Sequence, residues 1–455
     1  MKFDTITAIA TGTTPAGVGI VRMSGPRALA IGARLLRRER PLPDRRLVYG
    51  AIYDEGASEP LDEGFVVAFH APRSFTGEDV VELQMHGGLL NLAEVSAATV
   101  TFGARPAEPG EFSRRAVQNG RLDLTSAEAL LDIIEAESKA ALRLAHRQLG
   151  GAVGEAVKSL GATLEQVLVE IEAALDFPDE EETAFEAERF CAPIDAILAE
   201  ARRLAGTYRT GRYLRRGFRV VLLGAPNAGK STLFNALLGD ERAIVTATPG
   251  TTRDYLEATL DMDGLPVVLV DTAGVRHSEH AIEQEGVKRA LDQVSSADLT
   301  VLLVDGSRPP SESFWSALPS DWNRGTPLLL TKSDLPQDPA ARRWAERFTS
   351  GEVIPLSAAS GEGLAAFNEL VRRVALPGGM PSAETAVISR LRHRGALERA
   401  TVAMERAREA LCAGQTLDVV ASDLHSARRA LGEIVGEFTT DDVLDRIFER
   451  FCIGK

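Results

Sequence analysis

Cysteine is scarce: the 455 residues hold three, Cys191, Cys412 and Cys452, far apart and in no metal-ligand spacing. That excludes a disulfide framework and a cysteine-built zinc site, and makes a reducing compartment the simpler setting. Long apolar runs are missing at the start of the chain as well. MKFDTITAIATGTTPAGVGIVRMSG carries Asp4 and scattered polar side chains, so neither a secretion signal nor a membrane span is legible and a cytoplasmic location is expected. Basic residues are in deficit, 51 against 65 acidic, for a net charge of −14. An acidic total disfavours bulk, sequence-blind nucleic-acid binding while leaving room for a local basic face. What is present is ordinary: 44% apolar and 25% charged residues, the composition of a soluble globular chain long enough for two or three cores.

Four segments follow from patterning. Residues 1–118 alternate short apolar strands (ITAIA, GIVRM, EGFVVAFH, VVELQM) with Gly, Pro and Asp clusters, which predicts a compact α+β domain. Residues 119–215 read as helical. From Leu122 to Leu149 apolar residues recur at helical intervals, with Thr125 and Glu128 as a capping box at the start. A second stretch, 153–175, ends at DFPDEEE, where Pro178 breaks the pattern. The arginines of RRLAGTYRTGRYLRRGFR, from Arg202 to Arg219, form either a solvated helix end and linker or a polyanion-contacting patch. Residues 216–378 alternate apolar strands (RVVLLG, PVVLVD, TVLLVD, PLLLT, VIPLS) with helix-length intervals and hold all three tryptophans, the signature of a doubly wound α/β domain. Residues 379–455 return to helical spacing, so the α/β unit is expected as an insertion between helices that pack together.

The sharpest motif is GAPNAGKS, Gly224 to Ser231, between the strand 218–223 and a helix-like TLFNALLG. It fits the G-x-x-x-x-G-K-[ST] phosphate loop in its strand–loop–helix context. Backbone N–H groups of Asn227, Ala228, Gly229 and the helix start can cradle phosphate oxygens; Lys230 adds a point charge, and the hydroxyl of Ser231, beside Thr232, can reach Mg²⁺. TATPGTTRD follows, with Thr246, Ala247, Thr248, Pro249, Gly250, Thr251 and Thr252, the last able to complete the Mg²⁺ shell. In DTAG (Asp271, Thr272, Ala273, Gly274), Asp271 can hold metal-bound water and the Gly274 amide can sense a γ-phosphate. TKSD offers Thr331, Lys332 and Asp334, whose carboxylate can accept both N–H donors of a guanine edge. SAAS, with Ser357, Ala358 and Ala359, closes the base pocket. Five elements in this order indicate a GTPase.

Beyond these elements, GVGIVRMSG at 17–25, SFTGEDVVELQMHGG at 74–88, PGEFSRRAVQNGRLDL at 109–124 and the terminal FCIGK resemble the tRNA-modification GTPases that act with a flavoprotein on the wobble uridine. The resemblance spans essentially the full length. It implies a multidomain protein: an N-terminal α+β folate-binding and dimerisation domain, an α-helical domain, and an inserted Ras-like α/β P-loop GTPase domain. It further implies a homodimer through the N-terminal domain and an FAD-dependent partner protein that uses NADH. The implied product is a carboxymethylaminomethyl or aminomethyl group on C5 of uridine-34 in tRNA. The one-carbon donor would be 5,10-methylene- or 5-formyl-tetrahydrofolate, at positions matching Arg22, Glu82, Arg121 and Lys455. Where the family pattern has Lys, this sequence has Arg121, which keeps the charge and changes the donor geometry.

The resemblance also implies how hydrolysis proceeds. Val275 follows DTAG, so no glutamine stands where Ras-type GTPases position water. The family pattern places K⁺ in the role of an arginine finger, with ligands matching Asn227, Thr246, Thr248 and Thr251, and gives Glu283 the role of orienting water. Cys452 admits two readings, a nucleophilic thiol near the folate or a small buried hydrophobe. Thr331 replaces the Asn usual at that place; guanine preference should survive, with weaker affinity. The alternatives are a ribosome-assembly GTPase, which folate binding would exclude, and a nucleotide-gated scaffold, which K⁺-stimulated turnover would exclude.

Overall fold

The computed structural model describes residues 4–12, 14–176, 187–239, 256–271, 293–311, 314–315, 325–382, 385–439 and 441–454. The chain divides into two units, one of Met1–Leu131, Gln148–Ile194 and Val402–Lys455, the other of Asp132–Arg147 and Asp195–Thr401.

The first unit contains a six-stranded sheet: β1 (Ile6–Ile9), β2 (Ala16–Ser24), β3 (Val48–Ile52), β4 (Asp62–Phe69), β5 (Val80–Gly87) and β6 (Arg105–Pro106), in the order β3-β4-β5-β2-β1-β6. Its neighbours are antiparallel except for β1 and β6. Period-two alternation sends Val21, Met23, Val81 and Leu83 into a core with Ile31 and Leu35 of the helix Ala28–Leu35 and Leu92 and Val95 of the helix Leu89–Thr101. Each such side chain contributes about 1.5–3 kcal/mol by leaving water. The same register sets Arg22 opposite Glu82.

The helices correct two expectations. The helix Leu124–Ile134 is capped by Asp123, whose Oδ1 accepts from the Ser126 N–H at 2.8 Å and from the Thr125 hydroxyl at 2.8 Å. The Asp123 carbonyl already accepts from Ala127 N–H at 3.0 Å; Thr125 therefore sits inside the first turn and is not the cap of a Thr125–Glu128 box. The Leu122–Leu149 stretch is also two helices. The second, Lys139–Leu149, begins after Ser138, whose Oγ accepts from the Ala141 N–H at 3.0 Å. The long helix Ala152–Asp176 packs against Leu417–Val435. The C-terminal helical stretch resolves into Leu391–Cys412, Leu417–Val435 and Asp441–Phe448, the second ended by Gly436 at φ 96°.

The second unit holds β7 (Phe218–Gly224), β8 (Leu256–Met262), β9 (Leu265–Asp271), β10 (Leu299–Asp305), β11 (Leu328–Thr331) and β12 (Val353–Leu356), ordered β12-β11-β10-β7-β9-β8. All neighbours are parallel except the β8–β9 hairpin. The strands read as near-continuous apolar runs because both faces are covered. One face packs Phe234, Phe367 and Val371; the other packs Trp315, Ala341 and Ala345, where the Trp344 ring stacks on Phe348 at 4.5 Å. The register aligns the carboxyl ends of the parallel strands, pairing Asp305 with Thr331 and Thr331 with Leu356. Open α/β sheets bind ligands outside those ends.

The arginine-rich segment before β7 is not a solvated linker. Tyr208–Arg216 is a helix, and carboxylates pair with four of the segment's arginines: Arg203 with Glu200 at 2.6 Å, Arg215 with Asp132 at 2.7 Å, Arg219 with Glu257 at 2.6 Å, and Arg212 with Asp298. Asp132 is buried and also takes Arg390 at 2.7 Å.

Candidate functional site

At the end of β7 the backbone must turn tightly, and the residues allow it. Asn227 has φ 62° and Gly229 φ 91°, left-handed conformations that Gly adopts freely and Asn tolerates. Gly224 is pressed on β10: a Cβ there would lie 2.4 Å from the Leu303 carbonyl oxygen. The helix Lys230–Gly239 starts at once, so its first N–H groups face the loop. The Lys230 ammonium donates to the Gly224 and Ala225 carbonyls at 2.7 and 2.9 Å. Burial pushes its pKa down, against an opposing pull from the Asp271 carboxylate. The loop thus keeps a buried cation on neutral oxygens.

The Ser231 hydroxyl donates to Asp271 Oδ2 at 2.8 Å, and Asp271 is fully buried at the end of β9. A hydroxyl and a carboxylate this close beside a phosphate loop are the hard oxygen donors that Mg²⁺ takes together with substrate phosphates; the residues fit that ion. Asn227, exposed at the turn, presents a side-chain amide outward.

The base end is built by β10, β11 and β12. Thr331 Oγ1 lies 2.8 Å from the Ala228 carbonyl and 3.0 Å from the Val304 carbonyl, so the shorter side chain still ties the TKSD loop to the phosphate loop. Lys332, at φ 59°, sets its ammonium 2.7 Å from Asp305 Oδ2. Burial alone would raise the Asp305 pKa; hydrogen bonds from Lys332 and Ser307 outweigh it and hold the carboxyl below its ordinary value. Asp334 is exposed beyond this anchor. Ser333 N–H donates to Leu356 O at 3.2 Å, and Ser357, fully buried, accepts at Oγ from Ser360 N–H at 3.2 Å; Ala358 and Ala359 follow on the same loop. Asp305 was not singled out in the sequence, although LTVLLVDG ends its strand on Asp just as PVVLVDTAG does.

Asn227, Ala228, Gly229, Lys230, Ser231, Thr232, Asp271, Thr331, Lys332, Asp334, Ser357, Ala358 and Ala359 therefore all follow the carboxyl ends of one sheet. Thr246, Ala247, Thr248, Pro249, Gly250, Thr251, Thr252, Thr272, Ala273, Gly274, Glu283 and Lys455 lie outside the described residues.

A second cluster occupies the N-terminal sheet. Arg22 meets Glu82 at 2.8 Å through Nη2 and at 2.9 Å through Nε, and its Nη1 donates to the Gly454 carbonyl at 3.3 Å. The guanidinium stands 6.0 Å from the Phe75 ring and 5.9 Å from Phe112. Arg121 Nε donates to Ser74 O at 3.1 Å, one residue before Phe75. Gly454 has φ 97°, and a Cβ there would lie 2.4 Å from Ile9 O, so only glycine lets the tail close on β1. Phe451 is buried on Phe448 and Leu124, whereas Cys452 is exposed. The buried-hydrophobe reading of Cys452 is thereby corrected: Phe451 takes the inward place and turns its neighbour out. Two arginines, a carboxylate and an aromatic ring are donors and acceptors suited to a folate. Phe75, Phe112 and Gly454 were not legible as parts of this cluster.

Family models match in two pieces: one described as "GTP-binding protein TrmE N-terminus" over residues 5–121, and one described as "MnmE helical domain" over residues 124–452. The chain is 43% identical over 455 residues to the tRNA modification GTPase MnmE of Chloroflexus aurantiacus, covering 99% of this chain and 100% of that protein. The chain belongs to the MnmE family of tRNA modification GTPases. The MnmE proteins of Thermus thermophilus, 42% identical over 454 residues, and Geobacter sulfurreducens, 40% over 462, each match across 99% of both chains. Family membership and the phosphate loop together make this chain a GTPase, with GTP as its nucleotide. Among the described residues no helix is long and apolar enough to cross a membrane, and no group of three or more His, Cys, Asp or Glu residues could hold a metal ion.

Proposed function

We propose that the chain is a K⁺-stimulated GTP hydrolase of tRNA modification. With an FAD- and NADH-using partner it installs a carboxymethylaminomethyl or aminomethyl group at C5 of uridine-34, the carbon coming from 5,10-methylene- or 5-formyl-tetrahydrofolate. The observation that carries the reading is the phosphate loop itself: a buried Lys230 on neutral carbonyls beside the Ser231–Asp271 pair, in a chain similar to MnmE proteins along its whole length.

Residues 216–378 supply the hydrolytic site. Lys230 stabilises negative charge on the β- and γ-phosphates, and the loop N–H groups hold their oxygens in place. Ser231 and Thr252 are the residues that would hold Mg²⁺, with Asp271 holding its bound water, and the ion would further neutralise the phosphates. Asn227, Thr246, Thr248 and Thr251 are those to hold K⁺, the counter-charge in a site with Val275 where a glutamine could stand. Glu283 orients the attacking water. Asp334 reads the guanine edge while Asp305 and Lys332 keep its loop in place. Arg22 and Glu82 of the N-terminal domain, 1–118, take the folate together with Arg121 and Lys455 from the flanking segments. The helical domain, 119–215 and 379–455, flanks the GTPase domain in sequence. A homodimer through the N-terminal domain is supported by the exposed Val18, Leu47, Tyr49, Phe65, Leu89 and Leu90, among which Tyr49 and Phe65 pair across β3 and β4. The setting is the cytoplasm.

The test is mass analysis of tRNA nucleosides from cells lacking the chain, complemented with wild type or Glu283→Ala. Loss of the C5-modified wobble uridine, restored by wild type alone, is the expected result. Unchanged wobble uridines would overturn the pathway and leave the GTPase intact. Glu283→Ala should keep GTP binding and lose most turnover.

A further inference from the structure

The arginines before β7 were the sequence's candidate for meeting a polyanion, and their carboxylate partners remove most of that charge. A different segment keeps its charge. Residues 34–46, RLLRRERPLPDRR, hold six arginines against Glu39 and Asp44, a local net of +4 in a chain of net −14. They run from the end of the helix Ala28–Leu35 through the loop that leads to β3.

Two of the six are already neutralised: Arg34 pairs with Glu55 at 2.8 Å and Arg45 with Asp44 at 2.9 Å. Arg37, Arg38, Arg40 and Arg46 have no ion pair among the described residues and are exposed or half-buried. Two of these guanidiniums, those of Arg37 and Arg38, are positioned even so. Arg37, at φ 49°, lays its guanidinium 3.9 Å from the centre of the Tyr53 ring and donates to the Ala57 carbonyl. Arg38 Nε donates to the Arg40 carbonyl at 3.0 Å. A guanidinium stacked on a ring leaves its N–H edge outward, the form suited to phosphate oxygens. Two further exposed arginines extend the ridge. Arg27 donates to the carbonyls of Phe102 and Gly103, next to the ring over which Arg34 lies. Arg73 reaches Asp44 at 3.1 Å beside Arg45.

We infer that this arginine ridge of the N-terminal sheet is the chain's docking surface for the phosphate backbone of structured RNA, with tRNA as the occupant. It rests on the tRNA-modification reading above. Holding and neutralising arginines are different tasks: aromatic faces and carbonyls orient a guanidinium without cancelling its charge, whereas carboxylates cancel it. Phosphate contacts fix register without reading bases, which suits a protein that must hold a folded tRNA while chemistry occurs at one base. An acidic remainder confines the contact to this ridge by repelling RNA elsewhere.

The test measures binding of the full chain to bulk bacterial tRNA from about 50 to about 200 mM salt, where log affinity falls linearly with log salt. The variant R37A/R38A/R40A/R46A should lower that slope by about 3–4, near one per arginine that meets a phosphate, and weaken binding at low salt at least about tenfold. R203A/R212A, two carboxylate-paired arginines before β7, should leave the slope unchanged, and R37K/R38K/R40K/R46K should restore it. Unchanged melting and GTP turnover establish that the alanine variant is folded. An unaltered slope in the alanine variant, an equal loss in R203A/R212A, or a wild type that fails to bind tRNA at low salt each overturns the inference. So does a loss confined to anionic phospholipid vesicles with tRNA binding intact. None of these outcomes touches the nucleoside analysis, which decides the modification reading by itself.

Discussion

The phosphate loop and the N-terminal Arg22 cluster each hold a cation, and they hold it in opposite ways. Lys230 rests on two neutral carbonyls inside the protein, at 2.7 and 2.9 Å. Arg22 rests on a carboxylate, Glu82, at 2.8 Å near the surface. The first arrangement leaves a buried charge whose natural complement is an anion, and its lowered pKa records the cost of waiting. The second is complete as it stands, so a ligand there must exchange with an existing pair. The lesson is that a motif's basic residue can be poised or already matched, and the neighbouring atoms decide which.

The sharpest way to break this comparison is Lys230→Ala. A charged hydrogen-bonding group contributes about 1.5–3 kcal/mol, so GTP affinity measured by calorimetry should fall roughly ten- to a hundredfold; unchanged affinity would mean the cation is not poised for phosphate. Next comes the exchange at Glu82. Arg22→Ala leaves a partly exposed carboxylate unpaired and should cost about 1 kcal/mol in urea unfolding, while Arg22→Ala with Glu82→Ala should be closer to wild type. A double-variant loss equal to the sum of the two single-variant losses would show that the pair stores nothing.

Thr331→Val tests the base end. Removing a hydroxyl that bridges to the phosphate loop should cost about 1 kcal/mol, read as a roughly fivefold weaker GTP affinity with the preference for GTP over ATP unchanged; loss of that preference would contradict the role given to Asp334. The smallest effect concerns acid. Asp305 titrates below its ordinary value of 3.8, so the unfolded chain binds its proton first as pH falls. The stabilisation is complete above about pH 3.8 and disappears as pH drops through the lowered value. Asp305→Asn should therefore flatten the acid limb of the unfolding midpoint plotted against pH.

Local features were legible and distant ones were not. The phosphate loop declares itself because strand, turn and helix are consecutive, and the strands of its sheet because burial on both faces makes them continuously apolar. Capping failed by two residues: Asp123 and Thr125 are both good caps, and the carbonyl that Ala127 selects decides between them. The charge before β7 could not be judged, since Arg215 finds Asp132 across 83 residues and Arg390 finds the same carboxylate across 258. Asp305 escaped notice because its role depends on Lys332, which arrives on the neighbouring strand.

The contact between Arg22 and Gly454 spans 432 residues of chain. At a ribosomal pace of about 5–20 residues per second, that separation is a delay of roughly 20–90 seconds between the synthesis of one partner and the other. During it β2 and β5 can already have met, and Arg22 has Glu82 to face. The ion pair thus needs only residues of β2 and β5, within the first 87 of the chain, whereas the carbonyl that completes the cluster is among the last to be made.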